Sequence, residues 1–190
     1  MKNILIIGAT GSLAKEVIAA AQTNPDLRLA LFARNPGRLS DGLKAKHRLI
    51  QGSALNPNDL SAAMQGQDVV YANLAGDLGK MAANIVQAMQ AQQVKRVIAV
   101  SSIGIYDEPV KAILKPYRAL ADVIEQSGLD YTILRPDWFT DRDEIDYALT
   151  PKPQAERGGA VSRKSIADFV CKLFASPGDY IGANVNISKL

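Results

Sequence analysis

Residues Gly8-Ala9-Thr10-Gly11-Ser12-Leu13-Ala14 constrain this chain more than any other stretch. They follow Ile4-Leu5-Ile6-Ile7, an apolar run too short for a helix and rich in β-branched side chains, which reads as a buried strand. They precede Lys15-Glu16-Val17-Ile18-Ala19-Ala20-Ala21, which reads as a helix. A strand that turns through glycines into a helix gathers unpaired backbone N–H groups and the positive end of the helix dipole at one point. Such a point suits a phosphate. The spacing Gly8, Gly11, Ala14 is that of a dinucleotide fingerprint with alanine in its third place. The first glycine makes the tight turn, the second admits the diphosphate, and the third small residue lets helix and strand pack closely. With a strand before it and a helix after it, the pattern is read as a nucleotide cradle containing Gly8, Thr10, Gly11, Ser12 and Leu13, rather than as an ordinary turn.

A length of 190 residues suits one domain, 1–190, with a sizeable core. The net charge of +3 is spread without blocks of like charge, which gives no reason to expect nucleic acid as a partner. Cys171 is the only cysteine, so no internal disulfide can form and a reducing, cytoplasmic setting is expected. The N-terminal apolar run is too short for a signal peptide. No stretch of about twenty apolar residues exists to span a membrane. The expected partner is a small-molecule substrate, and the expected state a monomer or homodimer.

Downstream, Leu27 to Ala33 reads as a second strand ending at Arg34-Asn35-Pro36. Arg34 stands twenty positions beyond Ala14, where a NAD-specific fold carries an acidic side chain for the ribose hydroxyls. An arginine there pairs instead with a 2′-phosphate, which favours NADP(H). Arg38 can share or replace that role, and a solvated strand-end arginine is the plain alternative. His47 to Gln51 reads as a third strand, followed by Gly52-Ser53-Ala54 and a helix opened by Asn56-Pro57. His47, the only histidine, is taken as a surface residue. Asp68 to Asn73 reads as a central strand, with Leu74, Ala75 and Gly76 in an exit loop whose small residues either let a cofactor approach or simply turn. Lys95 to Val100 is the fifth strand, ending at Ser101-Ser102, and its carboxyl end should face the same crevice as Gly8. Pro116 opens a helix carrying Tyr117, Leu120, Val123 and Ile124, and Tyr131 to Arg135 is the sixth strand, halted by Pro136. Residues 137–160 read as an irregular flap over the crevice. Ser162 caps a helix to about Ala175, and Ala183 to Ile187 is a last strand. Strand and helix alternate throughout, the pattern of an α/β chain with a doubly wound parallel sheet.

Five motifs together carry a family resemblance. They are Gly8-Ala9-Thr10-Gly11, Arg34-Asn35-Pro36, Ser101-Ser102-Ile103-Gly104-Ile105-Tyr106, the stretch from Ser127-Gly128-Leu129-Asp130 through Arg135-Pro136, and Val161-Ser162-Arg163-Lys164-Ser165-Ile166-Ala167. Over nearly the whole chain they resemble the atypical short-chain dehydrogenase/reductases, on the branch of NAD(P)H-binding proteins similar to the NmrA-like group and the biliverdin/flavin reductases. The resemblance implies a single-domain Rossmann fold. It also implies adenine near Gly52, Ser53 and Ala54, and the nicotinamide against Pro136.

Active members of that family use a serine, a tyrosine and, four residues after the tyrosine, a lysine. By resemblance Ser102 polarises a carbonyl and Tyr117 donates the proton, but the lysine position is Ala121. A free tyrosine titrates at about 10, and the neighbouring ammonium normally lowers that value. Lys115 and Arg118 both point off the Tyr117 face of a helix, and the first-turn dipole is worth at most about 1 kcal/mol. Oxidising an alcohol needs the tyrosinate, whereas reduction needs only a neutral phenol or solvent. The expected activity is therefore hydride transfer from NADPH to a small planar acceptor such as a flavin, quinone or carbonyl compound. An NADP(H)-sensing regulator of the NmrA-like type is the alternative. Tyr117 also shares an apolar face with Leu120 and Ile124, so a purely structural role stays open. Trp138 and Phe139 form either a flat wall for the acceptor or a core plug under the flap. Asp141, Asp143, Glu144 and Asp146 are interrupted by Arg142 and lack histidine or cysteine, so they read as a solvated loop and no metal is expected.

Overall fold

In the computed structural model, which describes residues 1–190, β1 (Lys2–Ile7) and α1 (Ser12–Ala21) form around the opening motif as its pattern requires. The chain continues through β2 (Leu27–Ala33), α2 (Asp41–Lys46), β3 (Arg48–Gln51), α3 (Pro57–Met64), β4 (Val69–Ala72), α4 (Leu78–Ala91) and β5 (Arg96–Val100). It ends with α5 (Lys115–Glu125), β6 (Asp130–Pro136), β7 (Phe139–Thr140), β8 (Ala148–Pro151), β9 (Val161–Ser162), α6 (Arg163–Ala175) and β10 (Ala183–Ser188). The main sheet runs β3-β2-β1-β4-β5-β6-β10-β8, and all its pairs are parallel except β10 with β8. This is a Rossmann-type doubly wound α/β domain whose strand order reverses between β1 and β4, and in such sheets ligands bind above the carboxyl ends at that switch point.

Each central strand feeds two cores. In β1, Ile4 and Ile6 face the core under α1 and α6, whereas Leu5 and Ile7 face the core under α3, α4 and α5. Burial on both faces is why β1 and β4 read as unbroken apolar runs rather than alternating ones. Ala14 is fully buried, so its small side chain lets α1 settle onto the sheet.

Two departures from the sequence reading lie outside this frame. The segment 137–160 is not irregular throughout: 148–151 forms β8, which pairs antiparallel along β10, and Phe139–Thr140 pairs with Val161–Ser162. An edge strand of this kind protects the otherwise open side of β10. The second departure is Arg135, read only as the end of a strand. It is 1 % exposed and paired with Glu156, while its Nε donates to Asn184 Oδ1 at 2.6 Å. Glu156 also accepts from the Gly104 amide at 2.7 Å, so the segment after β8 is tied to the loop that follows β5. Removing one partner of such a buried pair costs about 3–5 kcal/mol.

Candidate functional site

The opening glycines work by making room. Gly8 has φ +87°, and a Cβ there would stand 2.1 Å from the Asn73 carbonyl oxygen, so only glycine lets β1 turn this close to the end of β4. The Gly8 and Ala9 amides both donate to the Phe32 carbonyl, at 3.0 and 3.2 Å, and the Gly11 amide donates to Gly8 at 3.0 Å. Gly11 is the N-cap of α1 and supplies no side chain to its first turn, so no protein oxygen caps the amides that follow.

Above this turn lies a cavity of about 620 Å³ running from the end of β2 to the N-terminus of α5. Of the expected cofactor residues it is lined by Gly8, Thr10, Gly11, Ser12, Leu13, Arg34, Ser53, Ala54, Leu74 and Ala75, and Tyr117 and Phe139 join them. Arg34 and Arg38 both line it, both are exposed, and no carboxylate holds either one. No aspartate or glutamate is among the lining residues. A glycine at 52 is required by Phe32, whose ring atoms stand 2.6 and 2.8 Å from where a Cβ would sit. Ser53 is fixed by its amide, which donates to Asp59 Oδ2 at 2.9 Å, and the Ala54 carbonyl accepts from Asn84 at 3.1 Å.

Other expected residues do not line this cavity. Gly76 (φ +117°) turns the chain into α4 beyond it. Ser101 is buried, and its hydroxyl donates to the Tyr117 carbonyl at 3.0 Å, which ties the end of β5 to the start of α5. The Ser102 hydroxyl donates to the Ile103 carbonyl at 3.2 Å, and the Pro136 carbonyl accepts from the Ile103 amide at 3.0 Å. Gly52, expected beside the adenine with Ser53 and Ala54, lines the cavity too, whereas sequence reasoning missed Leu55, Asn73 and Met81. Asn73 directly follows a strand that points at the crevice, and that placement was the signal available.

Tyr117 packs against the core beneath α4 and α5 and also faces the cavity, so the two readings of it are not exclusive. Ala121, in the lysine position, is fully buried. Arg118 is held by Asp122 at 2.8 Å and lies over the Tyr106 ring, away from Tyr117. Trp138 is 82 % exposed and therefore plugs no core. The four flap carboxylates are each engaged by a cation: Asp141 by Arg163, Asp143 by Lys164, and Glu144 and Asp146 together by Lys189. His47 is half-buried at the start of β3, outside the cavity, and burial holds its imidazole below the ordinary histidine value.

A family model described as NAD(P)H-binding matches residues 8–177. The chain belongs to this NAD(P)H-binding family. Among family-like structures, a Rossmann-fold NAD(P)-binding protein from Shigella flexneri is 44 % identical, with a TM-score of 0.92, covering 100 % of this chain and 94 % of its own. A short-chain dehydrogenase/reductase from Veillonella parvula, in complex with NADP, is 25 % identical with a TM-score of 0.91, covering 99 % and 94 %. Of the curated relatives, an uncharacterised sugar epimerase, YhfK of Bacillus subtilis, is 28 % identical over 88 % of this chain and 86 % of its own length. Quinone oxidoreductase 2 of Escherichia coli is 26 % identical over 97 % of this chain but only 63 % of its own. No helix of this NAD(P)H-binding protein is long and apolar enough to cross a membrane.

Proposed function

We propose that the protein binds NADP(H) above Gly8–Leu13 and acts as a reductase of a small planar acceptor. The observation that carries the cofactor reading is a cavity edged by Arg34 and Arg38 with no carboxylate in its wall. A 2′-phosphate gains two fixed charges there, whereas bare ribose hydroxyls find no acidic acceptor. The turn through Gly8 and Gly11 sets the uncapped amides at the start of α1 on the cavity, where a diphosphate can accept from them, and the NADP complex of the Veillonella parvula protein supports the choice. When bound, the nicotinamide supplies the hydride.

The direction of reaction follows from the chain's own residues. Tyr117 faces the cavity, the position four residues on is Ala121 rather than lysine, and Arg118 is held by Asp122, so neither supplies the cation with which a tyrosine of this family serves as a base. A neutral phenol donates a proton to an acceptor being reduced and is a poor base for oxidising an alcohol. Phe139 in the wall and Trp138 exposed beside it present flat apolar surface to a ring-shaped acceptor, and a quinone oxidoreductase is among the relatives. Ser102 polarises a carbonyl acceptor in this reading and Pro136 backs the nicotinamide, each on family resemblance. The sugar epimerase relative is the weaker guide, because that chemistry needs the lysine that Ala121 replaces.

A sensing role without turnover has one observation in its favour, the buried Ala121. NADPH consumption followed by absorbance across flavins, quinones and aldehydes separates the two. Steady consumption with any acceptor supports the reductase, and tight binding without consumption across the panel supports the sensor. Failure to bind either nicotinamide cofactor at millimolar concentration overturns both.

A further inference from the structure

We infer that Arg163 is a cofactor-binding residue that holds the diphosphate alongside the α1 amides. The inference rests on the dinucleotide reading above and adds a residue that neither the glycine motif nor the arginines after β2 suggest.

Arg163 is the first residue of α6, placed immediately after β9. Its position is tightly set. Ser162 caps α6 by accepting from the Ser165 amide at 3.0 Å and donates to the Glu144 carbonyl at 2.6 Å, while β9 is paired with β7 at Thr140↔Ser162. From there the guanidinium reaches across to the opening motif. Its Nε donates to Ser12 Oγ at 3.2 Å, and its carbon lies 5.4 Å from the centre of the Phe139 ring. Ser12 and Phe139 both line the cavity, so this cation stands at the rim directly beside the first turn of α1.

The charge is sheltered but loosely spoken for. The Arg163 side chain is 19 % exposed, whereas its one carboxylate partner, Asp141, lies 2.5 Å away on a side chain that is 92 % exposed. A carboxylate so fully in water holds an arginine weakly, and a diphosphate carrying more charge outcompetes it. Nη1 and Nε have protein partners, and Nη2 has none, which leaves donors for a second acceptor. Arg163 does not itself line the cavity but touches Ser12 and Phe139, which do, while Arg34 and Arg38 line it after β2, so positive charge is offered at two places to a ligand with two separate anionic groups. A dinucleotide bearing a 2′-phosphate is such a ligand. Because the same guanidinium is stacked on Phe139 and bonded to Asp141, engaging the diphosphate also sets the flap residues that face the acceptor.

The test compares three probes by titration against the full-length protein: NADPH, 2′-phospho-ADP-ribose, which keeps the diphosphate but lacks nicotinamide, and 2′-AMP, which lacks the diphosphate. Arg163→Met should raise Kd about 10- to 100-fold for the first two, the range for a lost charged hydrogen bond, and change 2′-AMP less than twofold. Arg163→Lys should recover part of the loss. Asp141→Asn should leave the diphosphate ligands as tight as in the wild type or a few-fold tighter. An Arg163→Met variant that binds NADPH as the wild type does overturns this assignment and leaves the cofactor reading standing. Equal losses for all three probes also overturn it, because they report a distorted fold. A wild-type protein that binds neither diphosphate probe overturns the cofactor reading and this inference with it.

Discussion

Replacing Gly8 by alanine tests the geometry at the centre of the site, because two separable penalties act there. The first is conformational: φ +87° puts an L-residue in the left-handed region, at a cost of roughly 1–2 kcal/mol. The second is steric. The new Cβ would meet the Asn73 carbonyl at 2.1 Å, against an ordinary contact of 3.4 Å or more, so strand ends must part by over an ångström. Those ends are held by the β1–β4 register, Ile7↔Ala72, and by the Asn73 amide donating to Ile7 at 3.2 Å. Losing one such bond adds about 0.5–1.5 kcal/mol, for a total of about 1.5–3.5 kcal/mol. Gly128 isolates the first penalty, since it has φ +72° with nothing within 4 Å of its absent Cβ. Denaturant unfolding of Gly8→Ala, Gly128→Ala and wild type should therefore give midpoints in the order wild type, Gly128→Ala, Gly8→Ala, at constant m. The last gap should be about 1 kcal/mol, and NADPH affinity should fall only in Gly8→Ala. If the two variants lose equal stability, the close approach of β1 to Asn73 is refuted, and with it the reason given for glycine at this turn.

Arg34→Ala should weaken NADPH binding roughly 10- to 100-fold, the range for a charged hydrogen bond, while changing NADH less than twofold; equal losses by titration would remove the basis for preferring the phosphorylated cofactor. Burial pushes the Cys171 thiol up to about 12, so labelling by a disulfide reagent at pH 8 should be slow in the native protein and fast in denaturant. Rapid labelling of native protein contradicts that placement. Burial alone would raise the Glu125 carboxyl, but hydrogen bonds from Asn184, Lys152 and Tyr106 bring it below the ordinary glutamate value. A depressed folded value adds stability above the unfolded value, about 4.3, that is lost as pH falls through the folded one. Glu125→Gln should flatten that acid limb in denaturation measured between pH 5 and 2, and an unchanged limb would show that the network does not hold the carboxylate.

What was legible in the sequence is what short-range pattern encodes. Gly8, Gly11 and Ala14 sit on one strand-turn-helix, so their spacing alone carries the cradle, and β-branched runs announce strands buried on both faces. Arg34 was readable as a residue at the crevice because it directly follows β2. What escaped were residues whose neighbours are distant in sequence. Asn73 matters to Gly8 through a contact across the β1–β4 switch point, and Arg135 finds Glu156 across a segment that looks loop-like by composition. Pro151, Pro153, Gly158 and Gly159 made that segment read as irregular, yet β8 needs only the open edge of β10 to form, and an edge tolerates proline. Trp138 misled in the opposite direction: a large aromatic is ordinarily buried, and this one stands out in solvent beside the cavity wall.

The unequal legibility of the two halves of the site has a physical origin in α5. A Cβ added at Gly79 would stand 3.1 Å from Ala119 Cβ, so α4 and α5 lie flush, and Ala121 is sealed within the core that they share. A lysine at that position would have to bring an ammonium and four methylenes into an apolar, close-packed layer, where neither charge nor volume is tolerated. The missing lysine is thus built into the helix packing rather than being a single exchange on an otherwise intact constellation. The first turn of α5 keeps Tyr117, which packs against the shared core and still reaches the cavity. The cofactor half rests on backbone geometry that any chain with these glycines must adopt. In the reductase reading proposed above, the acceptor half rests on a lone phenol and on side chains of the 137–163 segment, so the proposed chemistry is set by the residues whose sequence pattern constrains them least.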